Sequence, residues 1–193
     1  MDMPTLSKRH QLAIGITLFF LTAATRGYHF VEIQQTLPSA SWAAYFLAGV
    51  YLQPVWVLPA LLGWTGLLDY TAIAWGGVND FCTSPAYAAL IPAYASLWLA
   101  GRWYAARHRF QISTLVPLSV SVFVATVVCE LISSGSFYFF SGRFAAPTFV
   151  EFVAREASYF PRSLAAIFFW IGAAAGIHAI GVAHTATRQQ HSP

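Results

Sequence analysis

The cysteine at position 82 is the residue whose type and position most directly suggest chemistry. It lies in NDFCTSPAY (residues 79–87), just before a predicted helix with Ser84 at its cap and Pro85 in its first turn. The positive end of a helix dipole favours a thiolate, and a thiolate is a ligand for soft metal ions. The same position also fits a small, inert, half-buried cysteine. Cys82 is therefore a candidate metal ligand, with that plainer alternative still open.

Three further residues could share a site with Cys82. Asp69 ends the third predicted helix, and Tyr87 follows the cysteine closely, so both could form hydrogen bonds around a bound group. His29 follows the first predicted helix and could supply a second ligand or a hydrogen-bond donor. Each also has a plainer interpretation, because a carboxylate or a histidine at the end of a membrane helix often only marks the boundary with water.

The composition is that of a membrane protein. Hydrophobic residues make up 58% of the 193 residues and charged residues only 9%, against roughly a quarter in ordinary soluble domains. The chain has room for roughly five to seven apolar spans, which we assign to a single transmembrane domain over residues 1–193. The ten Lys and Arg residues are spread over several loops without a basic run, which argues against nucleic acid as a partner.

The apolar runs predict an all-α integral membrane protein with six transmembrane helices. A charge-free stretch from residue 33 to residue 68 would be about 54 Å long as one helix, far more than a hydrocarbon core of about 30 Å. It must fold back, and Gln53 and Pro54 are the predicted turn. The mixed segment before the last helix could hold a short interfacial helix. The predicted helices cover residues 11–25, 41 to the turn at 53–54, 55–73, 85–104, 112–140 and 163–187.

The distribution of basic residues predicts the orientation. With six spans both termini lie on one side, together with Lys8, Arg9 and four arginines, whereas the other four arginines lie opposite. The positive-inside rule then makes both termini cytoplasmic. The connections after helices one, three and five share the external face. This face is rich in aromatic residues and would suit a large, flat, partly apolar ligand.

Other ionisable residues suggest other functions. Glu130 interrupts an apolar helix, and such groups are costly and often functional in membranes, although the sequence does not show its partner. A haem-binding electron-transfer protein could use His29 with His178 or His184, but the predicted topology puts His29 and His184 at opposite ends. His178 and His184 are also six residues apart, so they do not share a helix face. A membrane enzyme with Cys82 as its nucleophile is a third hypothesis, for which no convincing base lies nearby.

Three short segments resemble a known family. LDY (residues 68–70), NDFC (79–82) and SPAY (84–87), on a six-helix chain with cytoplasmic termini, resemble the substrate-binding S-components of energy-coupling-factor (ECF) vitamin transporters. In particular the chain looks like the BtuM-type, cobalamin-specific S-components of Gram-negative bacteria. The architecture is similar over nearly the whole chain, whereas the specific part is residues 69–87. The resemblance implies binding and uptake of vitamin B12 (cobalamin) across the bacterial inner membrane.

The resemblance also implies roles for the candidate residues. Cys82 would ligate the cobalt of cobalamin, with the vitamin bound base-off, and Asp69, Tyr87 and His29 would lie around that centre. Thiolate coordination would promote loss of the upper cyanide ligand from cyanocobalamin. The implied partners are the lipid bilayer and an ECF coupling subunit with its ATPases. S-components often carry Ala-x-x-x-Ala in the first helix for docking on that subunit, whereas here Ala13 is followed by Thr17, which weakens the docking inference.

Overall fold

The computed structural model describes residues 6–26, 37–76, 84–109 and 111–190, the last without the side chains of 183–190. Within these ranges the chain is all-helical and contains no strand. Two short 3₁₀ turns, Pro85–Ala89 and Ile112–Thr114, lead into the fourth and fifth helices. The six helices are α1 (Lys8–Arg26), α2 (Ser41–Tyr51), α3 (Val57–Ala74), α4 (Leu90–Ala105), α5 (Leu115–Phe140) and α6 (Phe149–Gln190).

Most of the predicted helix bounds agree with the structure. The charge-free stretch does fold back at Gln53 and Pro54, because α2 ends at Tyr51 and α3 begins at Val57. Pro85 opens a 3₁₀ turn rather than the first turn of an α-helix, and the α-helix itself begins at Leu90. Within the described residues, the number of α-helices therefore equals the number predicted from the apolar runs.

The last helix differs from the prediction. α6 begins at Phe149, well before residue 163, and runs for 42 residues through Pro161. The predicted interfacial helix is thus the first part of α6 and not a separate element. A proline inside a helix removes one backbone hydrogen bond, but α6 continues through Pro161 into the long apolar run that follows. At about 63 Å, α6 is roughly twice as long as the hydrocarbon core is thick.

Three helical stretches in the described ranges are long and apolar enough to cross a membrane: Val57–Ala74, Ile112–Phe140 and Phe149–Val182. α2 is different, because its 11 residues extend only about 17 Å, roughly half of the hydrocarbon core. It is instead the buried centre of the bundle, with every residue from Ala43 to Val50 buried. α2 contacts α1, α3, α4 and α6.

The pattern of exposure on α1 is that of a helix facing lipid. Leu12, Ile16 and Phe20 recur every fourth residue on one face, and all three are exposed. Thr22 and Thr25 lie on the opposite face and are buried. An exposed apolar face and a buried polar one are expected where the surrounding solvent is hydrocarbon.

The backbones of α2 and α4 approach each other very closely. A Cβ atom added to Gly49 would lie 2.1 Å from the carbonyl oxygen of Trp98, and one added to Gly101 would lie 2.1 Å from that of Phe46. The two glycines therefore let the two backbones touch, each facing the other helix. The glycines of α6 differ, because a Cβ added to Gly172 or Gly176 would meet no described atom within 4 Å.

Candidate functional site

Several helix ends come together at one end of the bundle. Arg26 is the last residue of α1, Ser41 is the first residue of α2, and Asp69 lies little more than one turn before the end of α3. Tyr87 lies in the 3₁₀ turn before α4, and Tyr94 lies in the second turn of α4. Hydrogen bonds connect these five side chains, and we call them the Arg26–Asp69 cluster.

Asp69 is the centre of this cluster. Arg26 donates from Nε to Oδ1 and from Nη2 to Oδ2 of Asp69, both at 2.7 Å. Two parallel bonds of this kind match the planar guanidinium to the carboxylate and fix their orientation. The Tyr87 hydroxyl donates to Oδ2 of Asp69 at 2.6 Å. The side chains of Arg26 and Asp69 are 15% and 26% exposed, so the ion pair is largely shielded from water.

Arg26 also connects α1 to α2 and α4. Its Nη1 donates to Ser41 Oγ at 3.1 Å and to Tyr94 Oη at 3.2 Å. The Tyr94 ring stacks on the ring of Tyr45 with centroids 4.5 Å apart. The Tyr45 hydroxyl is in turn hydrogen-bonded to Thr65 at 2.8 Å. The cluster therefore continues as a polar column into the core and ties the four N-terminal helices together.

The arrangement limits what Asp69 can do chemically. Each of its carboxylate oxygens accepts at least one hydrogen bond, and its charge is balanced by Arg26. A carboxylate with this many donors is suited to holding other groups in place rather than to binding a metal ion directly. Through Asp69, the position of Tyr87 is coupled to the ends of α1 and α3.

The sequence predicts Asp69 and Tyr87 in one site, and the structure places them in direct contact. Cys82 and His29, the other two predicted members, lie outside the described residues. Cys82 belongs to the connection between α3 and the turn that carries Tyr87, and His29 to the connection between α1 and α2. Both connections therefore begin and end close to the Arg26–Asp69 cluster.

Two exposed aromatic side chains flank this end of α3. Tyr70, next to Asp69, is 63% exposed, and Trp75 at the helix terminus is 78% exposed. Their rings meet edge to face with centroids 6.4 Å apart. They provide an apolar surface beside the cluster, of the kind that lines sites for flat ligands and that also occurs in interfacial aromatic belts.

Three members of the cluster were not predicted from the sequence: Arg26, Ser41 and Tyr94. A signal for Arg26 existed, because it and Asp69 end two apolar helices that the predicted topology brings to the same face. In a chain with so few charges, opposite charges at one face are candidates for pairing. Ser41 and Tyr94 gave no comparable signal, since each lies in an apolar run like many other polar residues.

A second polar group lies at the far end of α2. The Tyr51 hydroxyl is 3.4 Å from His178 Nδ1, and the His178 ring meets His108 edge to face with centroids 5.6 Å apart. His108 also forms a 2.7 Å hydrogen bond with the Tyr104 hydroxyl. Burial, together with the nearby His178, lowers the pKa of His108 below its ordinary value of 6.5. These rings border a mainly apolar cavity of about 300 Å³.

The position of His178 bears on the haem hypothesis. His178 is separated from Arg26, the residue that ends α1 just before His29, by the whole length of α2. His29 and the His184 side chain lie outside the described part of the chain. No observation in the described residues therefore brings the histidines of that hypothesis together.

No protein-family model and no curated protein matches this chain. The resemblance carried by residues 69–87 therefore remains a hypothesis about function. Its support comes from the residues of the site and their geometry.

Proposed function

We propose that this chain binds cobalamin at the external side of the bacterial inner membrane and mediates its uptake, as an S-component of the ECF type. The observation that carries the proposal is the hydrogen bond from Tyr87 to Asp69. These residues belong to SPAY and LDY, two of the three segments on which the resemblance rests. The third segment, NDFC, lies between them in the sequence and ends at Cys82.

The bond suggests how a cysteine ligand would be positioned. The hydrogen bond between Tyr87 and Asp69 holds α3 next to the 3₁₀ turn before α4, and the connection that contains Cys82 joins these two elements. Arg26 in turn links Asp69 to α1 and α2. A connection with both ends held loses less conformational freedom on binding than a free one, which favours affinity. Asp69 and Tyr87 would then act mainly by positioning the Cys82 segment, with Tyr70 and Trp75 as the apolar rim beside it.

The chemistry assigned to Cys82 is that of a soft ligand. Its thiolate would bind the cobalt of cobalamin in place of the vitamin's own base, so that the vitamin is bound base-off. A strong electron donor opposite a cyanide weakens the cobalt–cyanide bond, which gives removal of the upper ligand a physical rationale. His29, at the end of α1, is the fourth proposed member of the site.

The proposed topology has six membrane helices and cytoplasmic termini. The shortness of α2 is compatible with this, because α2 is buried and non-helical backbone at membrane depth is tolerated inside protein. Leu52, just after α2, is itself only 4% exposed. The excess of Lys and Arg on the side of the termini supports the orientation. An ECF coupling subunit with ATPases is the proposed partner.

The test is an absorption spectrum with cobalt analysis of the purified protein after incubation with cyanocobalamin and gel filtration. The unmodified protein should retain cobalt and show a corrinoid spectrum altered by sulfur coordination. Cys82→Ala should lose that alteration and most of the cobalt. Cys129→Ala is the matched control, because Cys129 is a free cysteine buried in α5, and it should behave like the unmodified protein. Unmodified protein without a corrinoid, or Cys82→Ala with the same spectrum, would refute the proposal.

A further inference from the structure

Glu130 is a buried acid in the middle of α5. It is only 5% exposed, and its Oε1 accepts a hydrogen bond from Ser134 Oγ at 2.9 Å. Its Oε2 is fully buried and receives no hydrogen bond from any donor in the described residues. A buried carboxylate oxygen without a donor is costly, because it has lost water and gained no substitute. The unpaired Oε2 therefore indicates that a hydrogen-bond donor or a proton binds at Glu130.

A second carboxyl group lies near Glu130 on α6. Glu156 lines the same small cavity as Ser134, the residue that donates to Glu130, and it is near enough to Glu130 for the two carboxyl groups to interact electrostatically. Two ionised carboxylates repel each other strongly where water is scarce, and neither can donate a hydrogen bond to the other. A proton on either group removes the repulsion and supplies the missing donor.

The described residues around the two acids do not carry enough positive charge to neutralise both. Arg155 is the nearest cation in the described part of α6, and its guanidinium lies 4.9 Å from the ring centroid of Phe144 and 5.9 Å from that of Tyr159. It also lies 5.8 Å from the ring of Tyr138, whose hydroxyl donates to a third acid, Glu151.

Two other ionisable groups in the described residues near the pair carry no positive charge. Cys129 precedes Glu130 on α5 and is fully buried. Tyr94 on α4 is near enough to Cys129 to interact with it electrostatically. Neither can balance a second carboxylate, so Arg155 is the positive charge that the described residues place beside the two acids.

We propose that Glu130 and Glu156 hold one proton between them and form a proton-binding site between α5 and α6. The site adjoins a cavity of about 90 Å³ lined by Ser134, Arg155 and Glu156. That volume can hold a few water molecules, which would provide a short path for the proton. Loss of the proton would leave two negative charges near each other and weaken the packing of α6 on α5. This inference does not depend on the proposed binding of cobalamin.

Infrared spectroscopy tests the proposal on the full chain in lipid bilayers. A protonated carboxyl group has a carbonyl band that an ionised one lacks. The unmodified protein should show this band at neutral pH, and Glu130→Gln and Glu156→Gln should each lose it. Glu151→Gln is the matched control, because Glu151 is an exposed acid of the same helix as Glu156, and it should keep the band.

Two results would overturn the proposal. One is the absence of the band from the unmodified protein at neutral pH, which needs no variant and so is independent of whether the variants fold. The other is its disappearance on addition of sodium or calcium ions at constant pH, which would make this a metal-ion site. Loss of the band as the pH of unmodified protein is raised, and its return as the pH is lowered, is the expected behaviour.

Discussion

The contact between α2 and α4 allows a prediction whose size follows from the geometry. In Gly101→Ala the new Cβ would lie 2.1 Å from the Phe46 carbonyl oxygen and 3.1 Å from the Val50 amide nitrogen. Both are backbone atoms of a buried helix, so no side-chain rotation can relieve the clash. An ordinary contact of a Cβ atom lies at 3.4–4 Å, which means that the helices must separate by more than about 1 Å.

Separation of the helices would loosen the best-packed part of the core. Phe46 and Leu97, one from each helix, are fully buried there. Overpacking of a core costs about 1–3 kcal/mol, and a backbone clash belongs at the upper end of that range. Alanine favours a helix over glycine by about 1 kcal/mol, which offsets part of the loss. We therefore expect Gly101→Ala to lower the free energy of unfolding by about 2 kcal/mol, and Gly49→Ala to do the same.

Reversible unfolding in mixed micelles is the assay. Gly63→Ala is the matched control, because a Cβ at Gly63 in α3 meets nothing within 4 Å and only the helix preference remains. That variant should be as stable as the unmodified protein or more stable, by up to about 1 kcal/mol. If Gly101→Ala unfolds no more easily than Gly63→Ala, the close crossing of α2 and α4 is wrong.

Three further outcomes are expected. Asp69→Asn leaves Arg26 without its balancing charge and should lower the free energy of unfolding by about 2–3 kcal/mol, somewhat less than for a fully buried pair because both side chains are partly exposed. Equal stability of this variant and the unmodified protein would contradict a structural role for the pair. Tyr87→Phe should weaken cobalamin binding by about tenfold or more, from the loss of one hydrogen bond to a charged group, without altering the spectrum of the bound corrinoid; an altered spectrum in a binding titration would contradict a positioning role. The lowered pKa of His108 means that the fold prefers its neutral form, so its stabilising contribution is complete above pH 6.5 and is lost as the pH falls through the lower, folded-state pKa. His108→Asn should flatten that part of the pH dependence of unfolding, and an unchanged slope would argue against it.

The sequence by itself determined the helical class, the number of helices and most of their bounds. These follow from local properties: the length of the apolar runs, the turn at Gln53 and Pro54, and the paucity of charge. It also pointed to Asp69 and Tyr87 as neighbours, since both border the same connection. The start of the last helix was predicted too late, because the preceding segment mixes charged and aromatic residues, whereas α6 begins at Phe149 and continues through Pro161.

Only the tertiary structure decided which polar groups meet. Arg26 and Asp69 are 43 residues apart, and Glu130 and Glu156 lie on different helices, so each pairing depends on how whole helices pack. The same holds for α2, whose apolar sequence resembles that of a lipid-facing helix but which lies in the centre of the bundle. In a membrane protein nearly every helix face is apolar, so hydrophobicity does not determine which face of a helix packs against the rest of the bundle. The buried face is determined by close contacts at glycines and by a few hydrogen-bonded charged groups. Both form only when the helices pack together.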